Sequence, residues 1–531
     1  MEKCVHNQMI NYINENQILC KNQSGFIQGD STINQLLEIS NDIGKAIDQG
    51  KEVRAVFCDI SKAFDRVWHR GLLFKLFQSG FSGKLLSWLQ DYLSNRSQRV
   101  VINSKSSTWV KINAGVPQGS VLGPLLLLIY INDIVLDIKC NIRLFADDTT
   151  LYIVVDNPQT ASDTLNNDLQ KIHLWSRQWL VDFNPSKTES LIISNKRIPA
   201  VHPDLFFNDC VIKNVNCHKH LGVTFSQNGS WSYHVNSVLS KASVRLNMLR
   251  KISYLLDRKS LEKIYFSFIR PILEYADIIW DNISSELSQK IEHLNQEAAR
   301  ITTGGTKLTN ILNLYNELGW EPLENRRKKH KIIHFHKMVH GQAPEYLCNL
   351  VPPKIYESHS HNTRQADNIL QINYKTTHYK NSFLPSSISL WNNLPDDVKN
   401  NPSISNLKRH LNANIKPPPP YFLIGSRQVQ ILHSRLRMNC SSLKSHLFSK
   451  NIVDSPLCVC GKTEDTNHYL LECPLYNQLR DKYLLNLSNN VNTNLLLFGN
   501  PNLSISDNTT IFQSVHKYII QSKRFAVSHK P

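Results

Sequence analysis

The sequence predicts an α+β protein, an antiparallel sheet backed by helices, and three observations lead there. Two apolar, strand-like runs, 141–145 and 149–155, flank a turn that holds Asp147 and Asp148 side by side, which is the pattern of a β-hairpin. The run 53–58 reads as a buried strand ending at Asp59, with an amphipathic helix beginning near Ser61. From Tyr233 onward apolar residues recur at helical spacing. Mixed segments of this kind suit a sheet with helices packed on it.

In chain order, 1–17 is helical in pattern, with Val5, Met9, Ile10 and Ile13 on one face. A Gly-punctuated loop, 24–32, precedes a second helix carrying Ile33, Leu36, Leu37, Ile39 and Ile43. After the strand at 53–58, helices are expected at 62–79 and 83–94, then short strands at 98–103 and 108–112. A helix over 118–136 leads to the acidic hairpin, followed by a helix at 159–179 and a strand at 188–193. Farther on, Val235, Val238, Leu239, Ala242, Leu246, Leu249 and Ile252 mark one helical stripe. Leu261, Ile264, Tyr265, Phe268, Ile269 and Ile272 mark another, which Pro271 should kink or restart. The stretch 350–410 is irregular, and the four prolines at 417–420 read as a stiff spacer and domain boundary. Residues 484–508, rich in Asn and Leu, carry no clear signal.

A chain of 531 residues suffices for three or four domains. Its net charge of +17 favours a polyanionic partner, because Lys and Arg that meet phosphates release counterions; general surface basicity would give the same number. No apolar run approaches the ~18 residues that a membrane span needs. With no basic-then-apolar leader and eleven scattered cysteines, a nuclear or cytoplasmic protein with reduced thiols is expected.

The chemistry gathers at the acids. Asp147 and Asp148, forced together and partly dried, repel unless a proton or cation arrives. Hard oxygen ligands suit Mg²⁺, and Asp59 as a third acid would allow two ions, able to activate a hydroxyl and stabilise a leaving pyrophosphate. An isolated Asp-Asp pair is most often a solvated turn; the combination makes the case. Gly115-Val116-Pro117-Gln118-Gly119-Ser120 is a turn opening a helix, of the kind that aims N–H groups at negative charge. Cys458, Cys460, His468 and Cys473, spaced C-x-C-x7-H-x4-C, offer the three thiolates and one imidazole that a structural Zn²⁺ takes, against chance clustering. The densest basic run, Arg326, Arg327, Lys328, Lys329, His330 and Lys331, reads as a nucleic-acid-facing helix. His330, His334, His336 and His340 recur at helical spacing, but no Cys or carboxylate completes a metal site there.

At these residues the chain resembles the reverse transcriptases of non-LTR (LINE-type, jockey-like) retrotransposons. FCDISKAFD at 57–65 is similar to the family's first palm motif, AGVPQGSVLGP at 114–124 to its second and FADD at 145–148 to its third. NPSKTESLI and HKHLGVTF extend the likeness more weakly. The resemblance implies a right-hand polymerase fold: partial fingers at 1–50, a palm at 51–228, a helical thumb and basic connection at 229–345, an irregular connection at 346–416, and a carboxyl-terminal region at 417–531 with a zinc knuckle. It implies Asp59, Asp147 and Asp148 as magnesium ligands and Lys187 as the group that protonates the leaving pyrophosphate. Ile60, Phe64, Gln118 and Gly119 would contact the nucleotide, with Phe64 excluding a ribose 2′-hydroxyl, and His220, Leu221 and Gly222 would steady the primer end. Relatives carry a further fingers segment with a triphosphate-binding arginine, so an amino-terminally truncated enzyme is expected.

The resulting function is RNA-directed DNA synthesis from dNTPs on an RNA template and DNA primer, with two Mg²⁺ and a structural Zn²⁺. The alternatives are a catalytically inactive remnant that only binds nucleic acid, or an RNA-copying RNA polymerase sharing the palm.

Overall fold

The computed structural model describes residues 1–358, 367–488 and 490–526. The chain forms two compact units, each assembled from separated segments. The first comprises Met1–His234, Ile278–Asn282 and His334–Pro402; the second comprises Val235–Asp277, Ile283–Ile333 and Ser403–Pro531.

The first unit opens with helices α1 (Glu2–Glu15) and α2 (Thr32–Asp48), the latter capped by the Ser31 hydroxyl on the Asn34 N–H. Strand β1 (Glu52–Cys58) is buried along its whole length. Its two charged residues are buried with partners: Glu52 bonds Ser194 and His202, and Arg54 donates to Ser162 and the Pro203 carbonyl. Helices α3 (His69–Gln78) and α4 (Gly83–Leu93) follow. A ribbon comes next, made of β2 (Arg96–Gln98), β3 (Val101–Ile102), β4 (Lys105–Ser106) and β5 (Val110–Ile112), and then α5 (Leu122–Ile131). The acidic hairpin is β6 (Asn141–Phe145) and β7 (Asp148–Val155), followed by α6 (Pro158–Gln178) and β8 (Glu189–Ile193). Short strands β9 (Phe206–Phe207), β10 (Cys210–Val211) and β11 (Lys213–Asn214) lead to a hairpin of β12 (Cys217–His220) and β13 (Val223–Ser226).

The main sheet has the order β11-β8-β1-β7-β6. It is antiparallel except where β11 joins β8. β1 is central, and a hydrophobic core that includes Val56, Leu126, Leu144, Leu151, Leu165 and Met9 packs beneath it. The amino-terminal helix therefore shares a core with the sheet.

Two expected helices are shorter. The chain after Ser61 does not run as one helix over 62–79. Lys62 is left-handed, Ala63–Asp65 form a 3-10 turn, and α3 starts at His69. Distant backbone has taken the groups a helix would use: Ser61 N–H bonds Asp182, and the Phe64 and Val67 carbonyls accept from Val116 and Gly115. The helix expected over 118–136 is confined to α5, with a turn before it and a 3-10 segment, Asn132–Val135, after it.

The second unit is helical. Of the stripe, Val235, Val238, Ala242, Leu246 and Leu249 are buried as expected, Leu239 is half-buried and Ile252 is exposed. Near Pro271 the chain widens into a π-turn, Tyr265–Ile269, and restarts as the helix Arg270–Glu274 with proline in its first turn. The prolines at 417–420 lie inside this unit, and the division falls between Pro402 and Ser403. The reason is packing: Lys416 and Pro417 lie against Gly319, while Tyr421 and Phe422 enter a core with Leu436, Tyr469, Phe512 and Tyr518. Glu317 is buried in this unit between Arg258 (2.7 Å) and Arg437 (2.6 Å) and accepts from Ser434. Burial alone would raise its pKa; the two guanidinium groups hold it below the usual carboxylate value.

Candidate active site

Strand pairing assembles the acids. Cys58 lies opposite Thr149 in the β1–β7 ladder, so Asp59, the next residue, leaves β1 at the end where Asp148 enters β7. Phe145 pairs with Asp148, which leaves Ala146 and Asp147 as the tip of a two-residue turn, with Ala146 left-handed at φ 53°. Burial, then the charge of Asp59, raises the pKa of Asp147. Asp148 keeps exposed surface, yet the atoms crowding it, together with Asp147 and Asp59, push it up to about 6. The three do not close up as tightly as a single-ion cluster, which among the described residues only the Cys/His group does. Acids crowded so that burial and neighbouring negative charge raise the pKa of Asp147 and Asp148 are a donor set that a hard divalent cation fits.

Lys187 comes from a turn built on Asn184, whose carbonyl accepts the Lys187 N–H, and its Nζ lies 3.2 Å from Asp59 Oδ2. Ile60 is buried and bridges to Phe183. Phe64, half-buried, meets Phe26 edge to face at 6.2 Å. Gln118 donates to Asp65 Oδ1 at 2.9 Å. Gly115 passes so close that a Cβ there would lie 2.7 Å from the Asp65 carbonyl, whereas Gly119, at φ 77°, faces open space. At the β12–β13 turn Leu221 and Gly222 both have positive φ. His220 is buried beside Thr150, where burial lowers its pKa to about 3, so the imidazole is neutral. His218 stacks on Phe57 at 3.8 Å and bonds Glu189 at 2.7 Å, which fastens that hairpin to the central strand below Asp59.

Sequence reasoning missed three contributors. Gln23 bonds Ala146 through both ends of its amide, Phe26 packs on Phe64, and Asp65 orients Gln118. The Gly-rich loop at 24–32 was the available signal, but nothing local says which strand it will meet.

In the second unit the Sγ atoms of Cys458, Cys460 and Cys473 and a ring nitrogen of His468 all lie within 4.8 Å of one another. Cys460 Sγ is 3.2 Å from His468 Nε2, and Cys458 and Cys473 are 3.8 Å apart. The turn is tied by Cys458 N–H on Lys462 and Gly461 N–H on Cys458. A hydrogen bond from the Lys462 backbone lowers the Cys460 pKa, and burial pushes Cys473 up to about 11. His468 Nδ1 lies 3.9 Å from a Glu472 carboxylate oxygen, beyond hydrogen-bond distance. The donor set fits zinc.

The basic run at 326–331 differs from expectation. Arg326 pairs with Glu274, Lys329 with Glu321, Lys328 with Glu324 and His330 with Asp277. Arg327 and Lys331 are buried. Most of its charges serve the fold, because folding brings Glu274, Glu321 and Asp277 against it from outside its helix, while Lys328 pairs with Glu324 on the exposed face of the same helix. Among the neighbouring histidines, His336 and His340 bond the carbonyls of Asn401 and Lys399, and His334 lies edge-on to Phe383; no metal group forms there among the described residues.

Comparison with known proteins finds relatives for part of the chain. Residues 1–225 match the family described as reverse transcriptase (RNA-dependent DNA polymerase). The Drosophila melanogaster protein named "Probable RNA-directed DNA polymerase from transposon BS" is 29% identical over 346 residues, covering 62% of this chain and 37% of that protein. The RNA-directed DNA polymerase from mobile element jockey of the same species is 27% identical over 57% of this chain and 34% of its own length. Thus the chain spans a little over a third of these curated relatives. Apo telomerase from Candida tropicalis is 11% identical, over 66% of this chain and 55% of that one, with a TM-score of 0.37. No described helix is long and apolar enough to cross a membrane. By its match over residues 1–225 and by these relatives, the chain is similar to the reverse transcriptases of jockey-like, non-LTR mobile elements.

Proposed function

We propose that the chain is the polymerase part of a non-LTR retrotransposon's RNA-directed DNA polymerase, extending a DNA primer on an RNA template with dNTPs. One observation carries the reading: Asp59 leaves the buried central strand where the Asp147-Asp148 turn meets it, and both hairpin carboxyls are raised by burial and by neighbouring charge. Two magnesium ions bound there would activate the primer 3′-hydroxyl and neutralise the leaving pyrophosphate.

The chain's own residues position and stabilise. Asp59, Asp147 and Asp148 hold the cations. Lys187, free to swing from Asp59, meets charge developing on the pyrophosphate and supplies its proton. Phe64 and Ile60 form the floor under the sugar, Gln118 and Gly119 face the nucleotide, and His220, Leu221 and Gly222 support the primer end. In this reading the sheet unit is palm with partial fingers, the helices from Val235 act as thumb, and Cys458, Cys460, His468 and Cys473 hold a structural zinc. A basic protein with this role works in the nucleus or cytoplasm.

Primer extension on homopolymer RNA tests the reading, with Asp147→Ala as control. Metal-dependent dNTP incorporation that the substitution abolishes is the expected result. Salt-sensitive binding without incorporation would leave only a nucleic-acid-binding remnant, and incorporation of NTPs in place of dNTPs would mark an RNA-copying enzyme.

A further inference from the structure

The segment before α2 is fastened to the acidic turn by a residue to which the reaction assigns no role. Leu144 N–H bonds the Asn22 carbonyl and Ser24 N–H bonds the Leu144 carbonyl, both at 2.9 Å; Gln23 thereby sits beside Leu144 as a parallel bridge on the free edge of β6. The Gln23 side chain then reaches along the turn. Its Oε1 accepts the Ala146 N–H at 2.9 Å and the Gly25 N–H at 2.7 Å, and its Nε2 donates to the Ala146 carbonyl at 3.2 Å. Gln23 is 6% exposed. Beside it, a Cβ on Gly25 would fall 2.1 Å from the Ala146 nitrogen.

Ala146 is the residue so gripped, and it is left-handed, a conformation that costs an L-residue with a Cβ. A primary amide carries an acceptor and a donor side by side, so it can bond both the N–H and the carbonyl of a single backbone residue. That pair of bonds offsets the cost at Ala146, and the backbone direction at Ala146 decides where Asp147 and Asp148 point. We infer that Gln23 is a positioning residue for the metal-binding carboxylates: its amide locks the left-handed Ala146 and thereby aims the two acids. The inference rests on the polymerase reading only for its effect on turnover.

The full chain is titrated with Mn²⁺, free ion being followed by electron paramagnetic resonance and the Asp147→Ala chain giving the baseline. Gln23→Met keeps the length and apolar packing and removes both hydrogen-bonding ends. Outer-shell changes cost ~10- to 100-fold in metal affinity, so Mn²⁺ binding above baseline should weaken ~10-fold or more. Adding Ala146→Gly, which is at ease at positive φ, should restore most of it. In primer extension the same pair should show kcat falling and recovering while KM for dNTP moves little. Should Gln23→Met not fold, Gln23→Glu, which keeps the acceptor and loses the donor, takes its place. Unchanged Mn²⁺ affinity, or a loss that glycine at 146 does not repair, overturns the inference. If the wild type binds Mn²⁺ in this Gln23-dependent way yet extends no primer, the polymerase reading falls and the positioning role stands.

Discussion

Asp148 is raised to about 6 mainly by burial and then by its two acidic neighbours. A carboxylate whose folded pKa exceeds its unfolded value of about 3.9 makes the native state bind more protons between pH 4 and 6. Without magnesium, stability at this locus should therefore rise as pH falls from 6 toward 4. Asp148→Asn should stabilise the magnesium-free chain at pH 7.5 by about 1 kcal/mol, a figure reduced for its partial exposure. Thermal melts across that pH range check this: the difference should vanish near pH 4, and added Mg²⁺ should stabilise the wild type more than the variant. Phe64 is a second residue-scale case. It packs against Phe26; if it walls off the ribose as proposed, Phe64→Ala should lower the dNTP-over-NTP preference in kcat/KM by ~10-fold or more, since wall contacts are worth about 1–3 kcal/mol. Of the proposed site, Asp59, Asp147, Asp148 and Gln118 stand out in the sequence because short motifs surround them. Gln23 and Asp65 could not, since their meaning lies in partners 123 and 53 residues away.

Elements formed largely where period and punctuation put them. The acidic hairpin, β8 and α6 fall within a residue or two of expectation, because alternation and helical stripes are local signals. The helix expected at 62–79 shortened because its first carbonyls and N–H groups bond to distant backbone, which local propensity does not see. The Cys458–Cys473 turn is expected to depend on its ligand. Metal analysis should find about one zinc per chain, lost on Cys473→Ser, and hydrogen exchange should then speed up over 456–473 but not in β1 or β7; a wild-type chain without zinc would end that assignment.

For the whole molecule, the surplus charge should make nucleic-acid binding fall steeply with salt. Asp147→Ala should leave that slope unchanged, because it removes a carboxylate and no phosphate contact; filter binding at several salt concentrations measures it. Each unit also depends on contacts distant in sequence. Glu317→Ala would leave Arg437 buried without its carboxylate and Arg258 with Glu262 alone, and breaking such a buried pair costs about 3–5 kcal/mol, which should show as a lowered urea midpoint. By itself the sequence determined β1, β6, β7 and β8, the acidic turn, the Gly-Pro-Gln turn and the zinc-type spacing, since each depends on residues a few positions apart. Tertiary structure alone decided that the loop before α2 grips Ala146 and that Arg326, Lys329 and His330 of the basic run pair with Glu274, Glu321 and Asp277. Hydrogen bonds and ion pairs form with whatever group folding brings within a few ångströms, and spacing along the chain does not carry that information.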